Sequence, residues 1–249
     1  MSAQLFVLLP PSEAKSAGGA EYSQVGEFDE VLAVARRQVM GALSKLLDTA
    51  SVSALEKTLG VRGPLLERAL ASTGAVVRGV GQVLPAWQRY TGVVWAHLDA
   101  STLSEPQRGR LLVPSGLYGL TSGNDLVADY RLKMSVSLAP LGRLASFWRP
   151  HLTLALTERV RGAVVVDLLP REHSAAIDEV ELGGVCEMHR VTFVDHDGER
   201  AVGHDAKAVK GEVARMVTLN GLEGLAKFRW NGWKAHHHRG VVRIVAPRA

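Results

Sequence analysis

The chain has 249 residues and a mass of 26.8 kDa, with 47% hydrophobic and 22% charged residues and a mean hydropathy of +0.06, values that exclude a disordered, collagenous or coiled-coil protein. No apolar run approaches the roughly 18 residues of a membrane span, the opening Met-Ser-Ala-Gln-Leu shows no basic stretch ahead of an apolar one, and the single cysteine, Cys186, rules out an internal disulfide, so a cytoplasmic protein without membrane contact is expected. Net charge is +4, but Lys227, Arg229, Lys234, Arg239, Arg243 and Arg248 follow the last acidic residue, Glu223, and removing those six from 29 basic residues leaves 23 against 25 acidic ones. That local excess is either an attraction for a polyanion such as nucleic acid or a phosphate-bearing ligand, or a solvated face.

In chain order, Gln4–Leu9 is a continuous apolar run ending in Pro10-Pro11, which predicts a buried strand that stops sharply. Phe28, Val31, Leu32, Ala35, Val39, Leu43, Leu46 and Leu47 recur at helical spacing and predict an amphipathic helix over Phe28–Leu47. Val52–Leu70 predicts two short helices around Gly60-Val61-Arg62-Gly63-Pro64. From Ala75 to Leu98, glycines interrupt Val-rich pieces, which favours strands and turns over helix. Arg110–Val113 predicts a strand running into the Gly-rich loop Pro114–Gly119. Leu141–Val160 is expected to be helical with a break or kink at Pro150, and Ala163–Leu169 is a second buried strand closed by Pro170. Val185–Val194 and Arg200–Gly203 flank Asp195-His196-Asp197-Gly198, a hairpin signal. A helix over His204–Leu219 and a last strand over Gly240–Val245 follow. The expectation is an α/β (mixed α+β) fold: one domain over residues 1–249 with a mixed sheet, flanking helices and a helical hairpin at about 52–70.

Familiar motifs fail. Gly79-Val80-Gly81 lacks the third glycine of a dinucleotide fingerprint, and neither a phosphate-binding P-loop nor a nucleophile elbow occurs. His236-His237-His238 cannot all face one point on a strand, and Cys186 with His189 supplies two ligands at most, so no metal and no cofactor is expected. Cys186, in a predicted buried strand without an activating partner, is a poor nucleophile and a poor peroxide sensor.

Four segments place reactive or charged residues beside glycine or proline, where packing explains them poorly. Pro10-Pro11-Ser12-Glu13-Ala14-Lys15 leaves the first buried strand, the position at which open α/β sheets collect ligands. Ser115-Gly116-Leu117-Tyr118-Gly119 predicts a loop with Tyr118 exposed at its tip. It is followed by Asp125 and Tyr130-Arg131-Leu132-Lys133-Met134, in which Arg131 and Lys133 share one face of an extended segment and suit phosphate or carboxylate. Phe147-Trp148 is expected in the core. Lys207, Lys210 and Gly211 form one helical stripe, with Arg215 beyond, the glycine opening space beside the lysines.

Taken together, the Ser-Gly-Leu-Tyr-Gly block, Asp125, Tyr-Arg-Leu-x-Met, Phe-Trp and the Lys-x-x-Lys-Gly helix resemble the signature of the YaaA peroxide-stress protein family, with the Pro-Pro-Ser-Glu-x-Lys form of actinobacterial relatives at the N-terminus. The sequence departs from that signature at Asp167–His173, where only Leu168 and Glu172 match. The resemblance implies a cytosolic protein that limits peroxide damage, in part by lowering free iron, and that binds DNA without sequence specificity through a basic cleft and a helix-hairpin-helix motif. Gly60 and Gly63 fit that hairpin, whose turn frees backbone N–H groups at a helix start for a DNA phosphate. The DNA contacts expected are Lys15, Gly60, Gly63, Tyr118, Arg131, Lys133, Lys207, Lys210 and Arg215. The alternative is an enzyme in which Ser12, Glu13, Lys15, Tyr118, Arg131, Glu172 and Lys207 converge on a small phosphate-bearing or nucleobase-like substrate. Glu13 and Glu172 favour it, since carboxylates repel a DNA phosphate. Direct iron sequestration ranks last, for want of a ligand cluster.

Overall fold

Phe6, Val7, Leu8 and Leu9 are buried almost completely, because β1 (Leu5–Leu8) lies mid-sheet with a parallel neighbour on each side. The computed structural model describes residues 3–23, 26–238 and 241–247, with the backbone alone at His237 and His238. Arg239, Gly240, Arg248 and those two imidazoles therefore lie outside the described residues.

After β1 come α1 (Asp29–Thr49), α2 (Val52–Leu59), α3 (Pro64–Val77), β2 (Val83–Pro85), α4 (Ala86–Arg89) and α5 (Val93–Leu98). Next are α6 (Glu105–Arg108), the hairpin strands β3 (Leu111–Ser115) and β4 (Gly119–Ser122), then β5 (Leu126–Ala128), β6 (Ser137–Leu138), β7 (Gly142–Arg143) and α7 (Leu144–Arg159). The chain continues through β8 (Val164–Asp167), α8 (Arg171–Ser174), α9 (Glu179–Gly183), β9 (Glu187–Val194), α10 (His204–Ala226), β10 (Arg229–Trp230), β11 (Trp233–His238) and β12 (Val241–Val245). One mixed sheet runs β10-β11-β12-β9-β8-β1-β3-β4, parallel from β12 through β3 and antiparallel at both edges. The carboxyl ends of β1 and β8 are thus side by side, with Leu8 opposite Asp167. α10 packs on β1 and α5, while α1 and α7 pack on each other and on β4. The α2–α3 hairpin has its own small core of Leu55, Leu59, Leu66 and Ala69.

Four expectations need correction. Residues 75–98 contain more helix than strand: α3 runs on to Val77, α4 and α5 follow, and β2 is the one strand. α7 passes through Pro150 without a break. The carbonyl of Ser146, which loses its i+4 donor there, is on an exposed residue where water can serve it. Arg200–Gly203 forms no strand; the turn closes through Asp195 and Glu199, and Arg200 makes only a bridge to Val194. Tyr118 is buried rather than exposed at a loop tip.

Candidate functional site

The loops leaving β1 and β8 open a cleft of about 1160 Å³. Its walls are Pro10–Ala14 after β1, Leu169–Ser174 after β8, Arg190–Val194 of β9, the start of α5 and the first turns of α10. A crevice outside the carboxyl ends of parallel strands is where open α/β sheets bind ligands, because the loops there diverge and backbone N–H groups and side chains converge. Charged lining side chains comprise the cations Arg171, Arg190, Arg200, Lys207, Lys210 and Arg243 against the carboxylates Glu13 and Glu172. Arg190 is held by Asp167 (2.8 Å) and Glu179 (2.5 Å), whereas among the described residues Arg171, Arg200, Lys207 and Arg243 form no ion pair. The cleft is therefore net positive.

Two inner groups are unusual. Lys210 donates from Nζ to the Leu168 carbonyl at 2.7 Å, and burial pushes its ammonium down to about 8, with Asp167 opposing that shift. His173 is buried, and its Nδ1 has no hydrogen-bond partner although Glu172 Oε1 lies 3.5 Å away. Burial, aided by Lys210 and opposed by Glu172, pushes the imidazole down to about 4, so it is neutral at physiological pH.

Glu13 at the rim joins the cleft to the helical hairpin. Its carboxylate takes Arg131 at 2.6 Å and Lys133 at 2.8 Å. Arg131 also donates from Nε to the Leu59 carbonyl at the end of α2 (2.8 Å), and a Cβ on Gly60 would meet Lys133 Cε at 3.4 Å. Gly60 closes α2 in the left-handed region (φ 66°), and Gly63 (φ 55°) precedes Pro64 at the uncapped start of α3. Residues 62–65 are exposed, with Arg62 projecting beside them.

The sequence-predicted residues part into three groups. Ser12, Glu13, Glu172, Lys207 and Lys210 line the cleft. Arg131, Lys133, Gly60 and Gly63 belong to the adjoining hairpin junction. Lys15, Tyr118 and Arg215 lie elsewhere. Lys15 is buried beneath Ser12, donating to its carbonyl (2.9 Å) with the ammonium 4.2 Å from the Tyr130 ring centroid, and burial pushes it down to about 8. Tyr118 is held inside by Ala128 N–H, which donates to its hydroxyl (3.1 Å), and by Tyr130 edge-on, and burial raises its phenol. The flanking glycines do admit close neighbours, but those neighbours belong to the same chain. A Cβ on Gly119 would lie 2.6 Å from Trp148, and one on Gly116 would lie 2.7 Å from the Leu132 carbonyl. Arg215 bonds the Leu98 and Asp99 carbonyls at the end of α5 (3.2 Å each) and Thr102 Oγ1, a helix-end role. Gly211 opens no space beside the lysines, because α5 fills it. Cys186 is half-buried before β9 rather than within it, its thiol raised by burial.

Sequence reasoning missed Arg171, His173, Arg200 and Arg243. Arg171 and His173 sit in the stretch that departs from the family pattern, and Arg243 alternates with buried Val242 and Ile244 on β12, so a period-2 reading of that strand exposes it.

The family model described as peroxide stress protein YaaA matches residues 5–239 of this chain. A UPF0246 protein of Streptomyces coelicolor is 33% identical over 224 residues, covering 87% of this chain and 84% of its own. One from Corynebacterium glutamicum is 30% identical over 230 residues, covering 88% and 87%. One from Shewanella baltica is 33% identical over 151 residues, 56% of this chain and 58% of its own.

Proposed function

We propose, from the premise that this chain belongs to the peroxide stress protein YaaA family, that it protects the cytoplasm against peroxide by binding DNA without sequence specificity. The observation that carries the reading is continuity: the exposed turn of the α2–α3 hairpin adjoins Lys133 and Arg131, these meet Glu13, and Glu13 lies on the rim of the cationic cleft. A duplex backbone laid along that path would meet the uncapped start of α3 and Arg62 first. It would then reach Lys207, Arg171, Arg200 and Arg243, cations that no carboxylate among the described residues neutralises. Lowering of free iron enters as part of the same protective role and carries no residue assignment.

The test is a salt titration of duplex binding. Each lost phosphate contact is expected to reduce the slope of log K against log salt by about 0.9, so Lys207→Ala and Arg62→Ala each flatten it by roughly one contact. Salt-independent binding, or slopes that neither substitution moves, overturns the reading.

A second reading, an enzyme for a small phosphate-bearing substrate in the same cleft, is favoured by one feature that duplex DNA leaves unexplained. Lys210 and His173 lie too deep for a backbone running along the rim, and His173 with the Glu172 carboxylate 3.5 Å from its Nδ1 offers the imidazole and the carboxylate that proton transfer needs. Turnover of a phosphate ester that is lost in Glu172→Gln and in His173→Phe would select it; binding without turnover would reject it.

A further inference from the structure

The first turns of α10 open on the cleft with Gly203 at the N-cap and no side chain capping it, while Ala206, Lys207 and Lys210 line the same wall. Unbonded N–H groups and the positive end of a long helix favour an anion there. His173 is the independent sign. It is buried and lines this cleft, and its Nδ1, itself buried, has no hydrogen-bond partner among the described residues. A buried imidazole without a partner is unfavourable unless something else supplies one. Lys210 is close enough for its charge to act on that imidazole, and among the described residues its ammonium has one hydrogen-bond acceptor, the Leu168 carbonyl, with the Phe193 ring centroid 5.3 Å away.

We infer that the inner end of the cleft is a site for a terminal phosphate monoester, received by the start of α10, Lys207 and Lys210, with His173 as its imidazole hydrogen-bond partner. The inference rests on the cleft being the anion-binding surface proposed above, and it deepens that reading. A monoester is favoured over an internal phosphodiester on two grounds. It offers three acceptor oxygens and nearly two negative charges to a site with several donors. It also ends a molecule, so it can project inward to buried groups that a continuous backbone passes over. The same chemistry has two sources, a free mononucleotide and the phosphorylated end of a nucleic-acid strand. A dianion beside Lys210 and His173 stabilises their protonated forms, so binding near pH 8 takes up protons, since the ammonium there is only partly charged beforehand.

The experiment compares wild type, Lys210→Met and His173→Phe with inorganic phosphate, a nucleoside monophosphate, and a short labelled strand bearing a 5′-phosphate, a 3′-phosphate or neither. Wild type is expected to bind one phosphorylated strand at least about tenfold tighter than the unphosphorylated one, with proton uptake at pH 8, and both variants to reduce that preference below about twofold. If mononucleotide binds as tightly as the strand end, the source is the free nucleotide and the site stands. Equal affinity for all three strands, with no thermal shift of wild type by phosphate or mononucleotide, overturns the inference while leaving duplex binding intact. Loss of duplex binding with retained mononucleotide binding removes the DNA reading and keeps this site. Should a variant fail to fold, the wild-type strand comparison decides alone.

Discussion

Glu13→Gln should tighten DNA binding, the opposite of what removing a functional group usually does. The carboxylate holds both Arg131 (2.6 Å) and Lys133 (2.8 Å) beside the hairpin turn, so its removal adds one net positive charge and frees two cations at the junction with the cleft. With a salt slope near 0.9 per phosphate, one new contact at 0.15 M salt adds about 0.7 log unit, so affinity rises about fivefold for one contact and up to about thirtyfold for two, and the slope steepens by about 0.9 to 1.8. The fold tolerates the change. Glu13 is more than half exposed, such pairs contribute about 0.2–1 kcal/mol each, and Arg131 remains bonded to Leu59. Burial would raise the Glu13 carboxyl, but Lys133 and Arg131 outweigh it and hold it below the ordinary range. Its stabilisation is therefore present above about pH 4.5 and is lost as pH falls through the lower folded value, so neutral-pH titrations compare a fully ionised Glu13 with its neutral isostere. Fluorescence anisotropy of a labelled duplex across a salt series reads both quantities. Unchanged or weaker binding at every salt concentration would refute the idea that this carboxylate masks a DNA-facing surface, and would point instead to a role in a small-molecule pocket.

Three further predictions concern stability. A Cβ on Gly211 would lie 2.6 Å from His97 Cβ and closer still to the Val94 carbonyl, so Gly211→Ala forces α5 and α10 apart at a cost of about 1–3 kcal/mol, a Tm loss of several degrees. Gly41→Ala, in the exposed interior of α1 with nothing near the new methyl, should gain about 0.5–1 kcal/mol; equal effects at the two sites would show that helix propensity and not the α5–α10 approach decides them. His173 is held near 4 against 6.5 unfolded, so the unfolded chain binds the extra proton between those values and stability falls as pH drops through that window. At pH 4.5 this amounts to about 2–3 kcal/mol, with Glu172 and Lys210 as the charged groups facing the ring; urea unfolding of His173→Phe should lack that part of the acid slope, and an unchanged slope would assign it to other groups.

Elements whose burial follows from their own residues were legible in the sequence. α1 shows its stripe, and β1 and β8 show the unbroken apolar runs of strands covered on both faces. Residues 75–98 were not legible, because the Val-rich pieces favour strands locally while α5 is fixed by α10, more than 100 residues further on, through Gly211. The edge strand β10 and its neighbour β11 are set in the same way, by pairing β10 onto β11 and β11 onto β12 rather than by a periodicity of their own. At the site, alternation correctly put Arg131 and Lys133 on one face and buried Tyr130 and Leu132 on the other. The glycines around Tyr118 correctly signalled a close approach, but the sequence could not say that the approaching groups were Trp148 and the 129–133 segment, which seal the tyrosine inside.

The cations teach the more general point, since a basic residue's role depends on whether an acceptor reaches it, and acceptors come from anywhere in the chain. Arg190, Arg131 and Lys133 are neutralised by carboxylates distant in sequence, and Arg215 is taken by the end of α5. Arg243, from a stretch whose basicity looked like a tail property, instead lines the cleft. The positive charge of the cleft therefore comes from Arg171, Arg200, Lys207 and Arg243, which lie far apart in the sequence and form no ion pair among the described residues. The loop after β8, the segment after β9, β12 and the start of α10 bring those four together beside the carboxyl ends of β1 and β8. Glu13, paired with Arg131 and Lys133, is what links the hairpin turn to the cleft, which share no sequence motif.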